Sequence, residues 1–309
     1  MKRHNRIMMV TALIAAMLAG SIFCDIQVHA AGKLAFTSAA SVIRVGEKKL
    51  FKVNKKDASW ESSDPKVASV NQHGQVKGKK PGSAVISAKA GKKTVSTEVK
   101  VSAGYTIGID PGHQIKSNSA TEPNGPGSSS MKAKVTGGTR GVSTGKSEYQ
   151  LNLEIAKKLK KELKKRGYKV VMTRESNDVD ISNAERAQLL NEKCDVAVRL
   201  HADGSAPSAH GASALYPSAS NPYCGNISEA SKKLSQCLVD SYCAATDISN
   251  RGLSVRDDLT GTNWSTIPVS LIEMGFMTNV FDDEYMSSEK GQKYMVEGLA
   301  NGIDAYFAN

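Results

Sequence analysis

Four side chains able to ligate a metal or move a proton stand where a fold displays chemistry: His113, Glu148, His201 and Glu273. Three of them follow apolar runs of strand character. Tyr105-Thr106-Ile107-Gly108-Ile109 alternates as a buried strand does, then meets Asp110-Pro111-Gly112-His113. The missing proline N–H and the turn preference of Pro-Gly predict that sheet pairing ends there. Asp195-Val196-Ala197-Val198-Arg199-Leu200 runs into His201, and Pro268-Val269-Ser270-Leu271-Ile272 runs into Glu273. Glu148 stands apart, behind Ser147, in the first turn of a predicted helix. Taken singly, each has an ordinary reading as a turn histidine or as a carboxylate favoured by a helix dipole. If the three strands are parallel neighbours, their terminal side chains gather along one sheet edge, where open α/β sheets place their ligand sites. Two histidines and one carboxylate, with a position left for water, make a common catalytic zinc set, and Glu273 is then free to handle protons.

The elements that would position these residues alternate strand and helix from Tyr105 onward, which predicts an α/β domain. Ser147-Glu148-Tyr149-Gln150 is a capping box, and Leu151, Ile155, Leu159 and Leu163 follow at four-residue spacing on a helix that Gly167 ends. Tyr168–Thr173 reads as a strand, and Ser182-Asn183-Ala184-Glu185 is a second capping box opening a helix to about Glu192. Gly211–Tyr216 and Gly252–Arg256 can add strands. Helices are predicted at about Ser228–Ala245 and Ser288–Phe307. Residues 114–146 are rich in Gly, Ser, Pro and Thr without periodicity; so long a connection inside a compact domain is usually functional or disordered.

Ahead of this lies a different pattern. Ser41–Val45, Lys49–Val53, Val67–Val70, Ser83–Ala88 and Thr94–Val101 are short valine-rich runs separated by turn residues, the spacing of a small β-sandwich. The run from Trp60-Glu61-Ser62-Ser63-Asp64-Pro65 through Val70, with Gly74-Gln75-Val76 and Gly82-Ser83-Ala84-Val85-Ile86, resembles a bacterial Ig-like domain of group 2.

In the second domain, Gly108-Ile109-Asp110-Pro111-Gly112-His113, Ser147-Glu148 with Asn152, Val198-Arg199-Leu200-His201-Ala202-Asp203, and Pro268 through Asn279 resemble the zinc-dependent N-acetylmuramoyl-L-alanine amidases. The resemblance spans residues 104–309 in order. It implies zinc as cofactor, His113, Glu148 and His201 as its ligands, Glu273 as the catalytic glutamate, and peptidoglycan as substrate. The insertion between His113 and Glu148 departs from the family pattern and bears on access to the site. The readings set beside this one are a zinc peptidase acting within the stem peptide and a non-catalytic cell-surface adhesin. The expected architecture is a mixed open sheet flanked by helices over 104–309, after an Ig-like β-sandwich over 33–103.

Composition agrees with a globular protein: 309 residues, 40% hydrophobic and 23% charged. A net charge of +11 favours anionic partners, among them the polymers of a cell wall, which the Ig-like module could bind. No compact basic motif with interleaved aromatics points to nucleic acid. Lys2, Arg3 and Arg6, the apolar run Ile7–Phe23 and Val28-His29-Ala30 read as a secretory signal peptide over residues 1–30. This predicts a secreted, wall-associated protein without a stable membrane anchor after cleavage. Export permits disulfides among Cys194, Cys224, Cys237 and Cys243, whose pairing spacing cannot give, and Cys194 reads as a buried thiol. His210 reads as a loop residue, Trp264 as a core or site-flanking residue, and Asp203 as a helix or turn cap in preference to a group that orients a ligand. Arg140, Arg174 and Arg199 could meet a peptide carboxylate, and the favoured reading is surface salt bridges.

Overall fold

A computed structural model describes residues 33–80, 82–102 and 104–308. The expected signal peptide lies outside the described residues. The N-terminal module contains β1 (Phe36–Ser38), β2 (Val42–Arg44), β3 (Lys48–Leu50), β4 (Lys52–Val53), β5 (Ser59–Ser62), β6 (Ala68–Val70), β7 (Gln75–Gly78), β8 (Gly82–Ala90) and β9 (Lys93–Ser102). They form sheets ordered β2-β9-β8-β5 and β3-β7-β6, with β1 paired to β4. Alternation decides which side faces in: Ala84, Ile86 and Ala88 are buried while Val85 between them is exposed. Ala84 and Ile86 join Ile43, Phe51, Val76, Val99 and Val101 in the core between the sheets. Strands β1, β5 and β7 lack the apolar runs that marked the others; pairing with neighbours supplies what their composition does not signal.

The second domain contains β10 (Thr106–Pro111), β11 (Asn118–Pro123), β12 (Met131–Val135), α1 (Glu148–Lys165), β13 (Lys169–Met172), α2 (Asn183–Asn191), β14 (Val196–Asp203), β15 (Ala212–Tyr216), α3 (Ser228–Ala245), β16 (Asn250–Val255), α4 (Thr260–Asn263), β17 (Val269–Phe276), α5 (Val280–Ser287) and α6 (Glu289–Ala308). One sheet, ordered β13-β10-β14-β17-β15-β16, carries the domain. Strands β13, β10, β14 and β17 are parallel, and β15 turns antiparallel to β17. One face, with Ile107, Ile109, Val196, Val198, Leu200 and Ile272, packs on the apolar stripes of α1, α3 and α6. Leu151, Ile155, Leu159 and Leu163 of α1 are all completely buried there, as their four-residue spacing predicts. On the other face Ala197 and Val269 pack with Leu190 of α2. Toward the carboxyl ends of the strands this second face turns polar, and the candidate site begins.

Pro111 does not end the pairing. It lies in β10 opposite Leu200, and the Gly112 N–H donates to the Leu200 carbonyl at 2.9 Å. Successive N–H groups of a strand alternate in direction, so the absent proline donor faces β13, whose ladder has already closed at Ile109. Nor is the 114–146 connection structureless: β11 and β12 pair as an antiparallel hairpin within it. Helices α4 and α5 are short additions that the residue pattern did not announce.

Candidate active site

The three expected strands are neighbours. Asp110, Arg199 and Leu271 stand side by side across β10, β14 and β17, and His201 stands opposite Glu273 two residues closer to the strand ends. His113 follows β10 with a left-handed backbone, φ 61°, which is uncommon outside glycine and costs on the order of 1–3 kcal/mol. That conformation turns the chain as it leaves the sheet. The His113 ring then lies edge-on to His201, with centroids 4.8 Å apart. Glu148 arrives from the start of α1, where the Gln150 carboxamide accepts from the Ser147 N–H at 3.0 Å.

Glu148 Oε1 is 3.1 Å from His113 Nε2 and 3.1 Å from His201 Nδ1. The ligating atoms of these three residues all lie within 4.8 Å of one another. The surroundings hold them there. The His113 Nδ1 contacts the Thr136 carbonyl oxygen at 2.9 Å, which leaves Nε2 toward Glu148. Glu148 accepts from the Thr139 N–H at 2.9 Å, the Ala202 N–H at 3.1 Å and the Asn152 amide at 3.3 Å. Gly112 and Gly138 make room: a Cβ on Gly112 would lie 2.2 Å from the His201 ring, and one on Gly138 2.7 Å from the Glu148 carboxylate.

Burial alone would raise the Glu148 pKa, but the hydrogen bonds and charges of both histidines hold it well below the usual carboxylate range. Burial works to lower the His113 pKa, but the hydrogen bond and charge of Glu148 and the contact with the Thr136 carbonyl together outweigh it and raise the pKa. For His201 burial wins, aided by the charge of His113, and its pKa falls. Glu273 is driven the other way: burial first, then the negative charges of Glu148 and Asp203, raise its pKa well above the ordinary value. His201 Nε2 and Glu273 Oε2 are buried with no hydrogen-bond partner among the described residues.

A cavity of about 350 Å³ opens over these groups, lined among others by His113, His201, Glu273, Arg199, Lys132 and Asp258. The hairpin forms one wall. Trp264 donates its indole N–H to the Pro123 carbonyl at 2.9 Å, and the Asn263 amide donates to Asn124 at 2.9 Å, so α4 and the hairpin are tied together beside the site. Farther along the insertion, Asp283 accepts from the Ser143 and Thr144 N–H groups at 2.8 Å each. These contacts hold 114–146 against the domain through backbone and side-chain bonds, not through an apolar stripe, which is why no periodicity revealed it.

Arg174 and Arg199 are not surface ion-pair residues. Arg199 is buried and donates to Asp110 at 2.8 Å, and Arg186 donates to the same carboxylate at 2.9 Å. Arg174, also buried, donates to the carbonyls of Pro111, Gly112 and Tyr149, and burial followed by the charge of Arg186 lowers its pKa to about 10. Arg140 bonds the Gly145 carbonyl at 2.7 Å. Arg186, on α2, was missed by sequence reasoning; its only signal was an arginine in the capped turn facing the sheet. Asp203 caps a turn by accepting from Gly204 at 2.7 Å. His210 is exposed and outside the metal-competent group. Cys194, Cys224, Cys237 and Cys243 are unpaired, with Cys224 buried and Cys194 only partly so.

A family profile for N-acetylmuramoyl-L-alanine amidase matches residues 107–305, and one for the bacterial Ig-like domain (group 2) matches residues 26–101. The chain is 29% identical over 224 residues to the N-acetylmuramoyl-L-alanine amidase Rv3717 of Mycobacterium tuberculosis, covering 67% of this chain and 88% of that protein. The crystal structure of an N-acetylmuramyl-L-alanine amidase from Mycobacterium smegmatis superposes with a TM-score of 0.60 at 27% identity, over 66% of this chain and 97% of that one. That of an N-acetylmuramoyl-L-alanine amidase from Clostridium difficile gives 0.54 at 28% identity, over 67% and 98%. With its profile covering the whole sheet and all four candidate residues, the chain belongs to the N-acetylmuramoyl-L-alanine amidase family, behind a bacterial Ig-like domain.

Proposed function

We propose that this chain is an exported, zinc-dependent hydrolase of peptidoglycan that cleaves the amide between N-acetylmuramic acid and the L-alanine of the stem peptide. The observation that carries the reading is the convergence of His113, Glu148 and His201 beside Glu273, in a cavity of an amidase-family domain. The donor set suits zinc. Two imidazoles and one carboxylate are ligand types zinc takes, the Glu148 oxygen lies 3.1 Å from a nitrogen of each histidine, and the three donor atoms fall within 4.8 Å of one another. His113, Glu148 and His201 would hold the ion. When bound, zinc supplies Lewis acidity, which lowers the pKa of water and polarises a carbonyl.

The remaining work falls to the chain. Glu273 takes the proton of the attacking water on a carboxylate oxygen and returns it to the departing amine nitrogen. Its place opposite His201, on the wall of the cavity, suits that role. Thr136 and Asn152 hold the ring and carboxylate in the orientation the ligands need. A zinc peptidase cutting within the stem peptide could use the same ligands, and an adhesin would need none of them; family membership favours the amidase.

Charge separates the two domains. Residues 33–102 hold 15 Lys and Arg against 5 Asp and Glu, while residues 104–309 hold 23 against 24. Nearly all the positive excess therefore sits on the Ig-like module, which supports binding of anionic wall polymers. No described helix is long and apolar enough to cross a membrane. Digestion of purified peptidoglycan with and without a chelator tests the activity. Amidase action releases peptides with a new L-alanine amino terminus and leaves glycan strands intact. New reducing sugar ends, or cuts between amino acids, refute it.

A further inference from the structure

We infer that Arg199 reads a carboxylate on the substrate, one residue beyond the alanine of the cleaved bond, and so favours acidic over amidated stem peptides. This rests on the amidase reading above. Arg199 lies two residues before His201 on β14 and shares its sheet face, which places the two about 6.6 Å apart along the strand. A peptide chain advances at most about 3.3–3.6 Å per residue. With the stem peptide laid back along β14 from a carbonyl held at His201 and Glu273, the carbon after alanine that bears the next carboxyl group falls abreast of Arg199.

The guanidinium is prepared for an anion. It is 5% exposed, lines the cavity, gives Nε to Asp110 and gives Nη2 to Asn183 at 2.9 Å. Its Nη1 makes no hydrogen bond among the described residues. Gly261 packs on the group so closely that a Cβ there would lie 2.2 Å from Nη1, which fixes its orientation. Asp110 is the one carboxylate shared by Arg199 and Arg186, while the neighbouring Arg174 donates only to neutral groups. Elsewhere on the cavity wall Lys132 is paired with Asp258.

The test uses the zinc-loaded full chain and two N-acetylmuramoyl tripeptides that differ only in the group on the second residue, α-carboxylate or carboxamide. The wild type is expected to prefer the acid by about tenfold or more in kcat/KM, expressed mainly in KM, as one charge-assisted hydrogen bond predicts. Arg199→Met should bring the ratio close to one, and Arg199→Lys should restore part of it. A purely structural role would slow both substrates alike and keep the ratio, which overturns the inference. Equal cleavage by the wild type also overturns it while leaving the amidase reading intact. Cleavage of neither substrate overturns both. The wild-type ratio needs no variant and decides the matter if Arg199→Met does not fold.

Discussion

Gly112→Ala is the sharpest test of how the site is held. The Gly112 N–H pairs with Leu200, so its backbone is tied into the sheet and cannot swing away. A Cβ there would lie 2.2, 2.3 and 2.7 Å from Cε1, Nε2 and Nδ1 of His201. Ordinary contact begins near 3.5 Å, so the ring must retreat by about 1 Å or more. It has little room: Glu148 Oε1 sits 3.1 Å from its Nδ1, and the His113 ring is 4.8 Å away between centroids. Forced overpacking of this kind costs about 1–3 kcal/mol of stability. A shift of about 1 Å in a reacting constellation costs on the order of a hundredfold in rate. Zinc affinity measured by chelator competition should fall together with kcat/KM on a soluble muropeptide, while circular dichroism stays native. Gly137→Ala is the matched control, since a Cβ there meets nothing within 4 Å. A Gly112→Ala protein with zinc affinity and turnover within about threefold of wild type would refute the reasoning, because this displacement predicts a far larger loss.

Two further perturbations separate the roles. Glu273→Ala should keep bound zinc and lose turnover by several orders of magnitude, whereas His113→Ala and His201→Ala should lose the metal, as elemental analysis of the purified proteins will show. Asp110→Ala leaves Arg186 and Arg199 buried without their shared carboxylate and should destabilise by about 3–5 kcal/mol in urea unfolding. Burial opposes ionisation of Asp110, but the two arginines overrule it and depress its folded pKa below the ordinary 3.8. A depressed carboxylate contributes stability above its unfolded pKa and loses it as pH falls toward its folded value. Wild-type stability should therefore drop below about pH 4 more steeply than that of Asp110→Asn; parallel acid limbs would exclude the assignment.

Much of the site was legible because its signals are local. The capping box places Glu148 at a helix start, and apolar runs carry His113, His201 and Glu273 to the ends of strands. The helix with Leu151, Ile155, Leu159 and Leu163 declared its buried face by spacing alone. Less legible were the parts held by contacts between distant residues. The hairpin β11–β12 stays in place through Trp264, Asn263 and Thr260 meeting Pro123 and Asn124, a set of polar bonds with no period to read. Arg199 could be read as a partner of a peptide carboxylate or of a surface ion pair, since nothing in its neighbourhood along the chain shows Asp110 beside it on β10.

Residue types and their local spacing were sufficient to read the α/β class and to single out four candidate site residues, because caps, turns and strand alternation are written within a few residues. Only the tertiary structure decided that β10, β14 and β17 lie side by side, that Pro111 continues the sheet, and that the insertion walls the cavity. Strand order and register arise from packing across the whole sheet. Likewise, the buried cluster of Asp110, Arg186 and Arg199 exists only once three elements far apart in the chain are brought together and water is removed from between them.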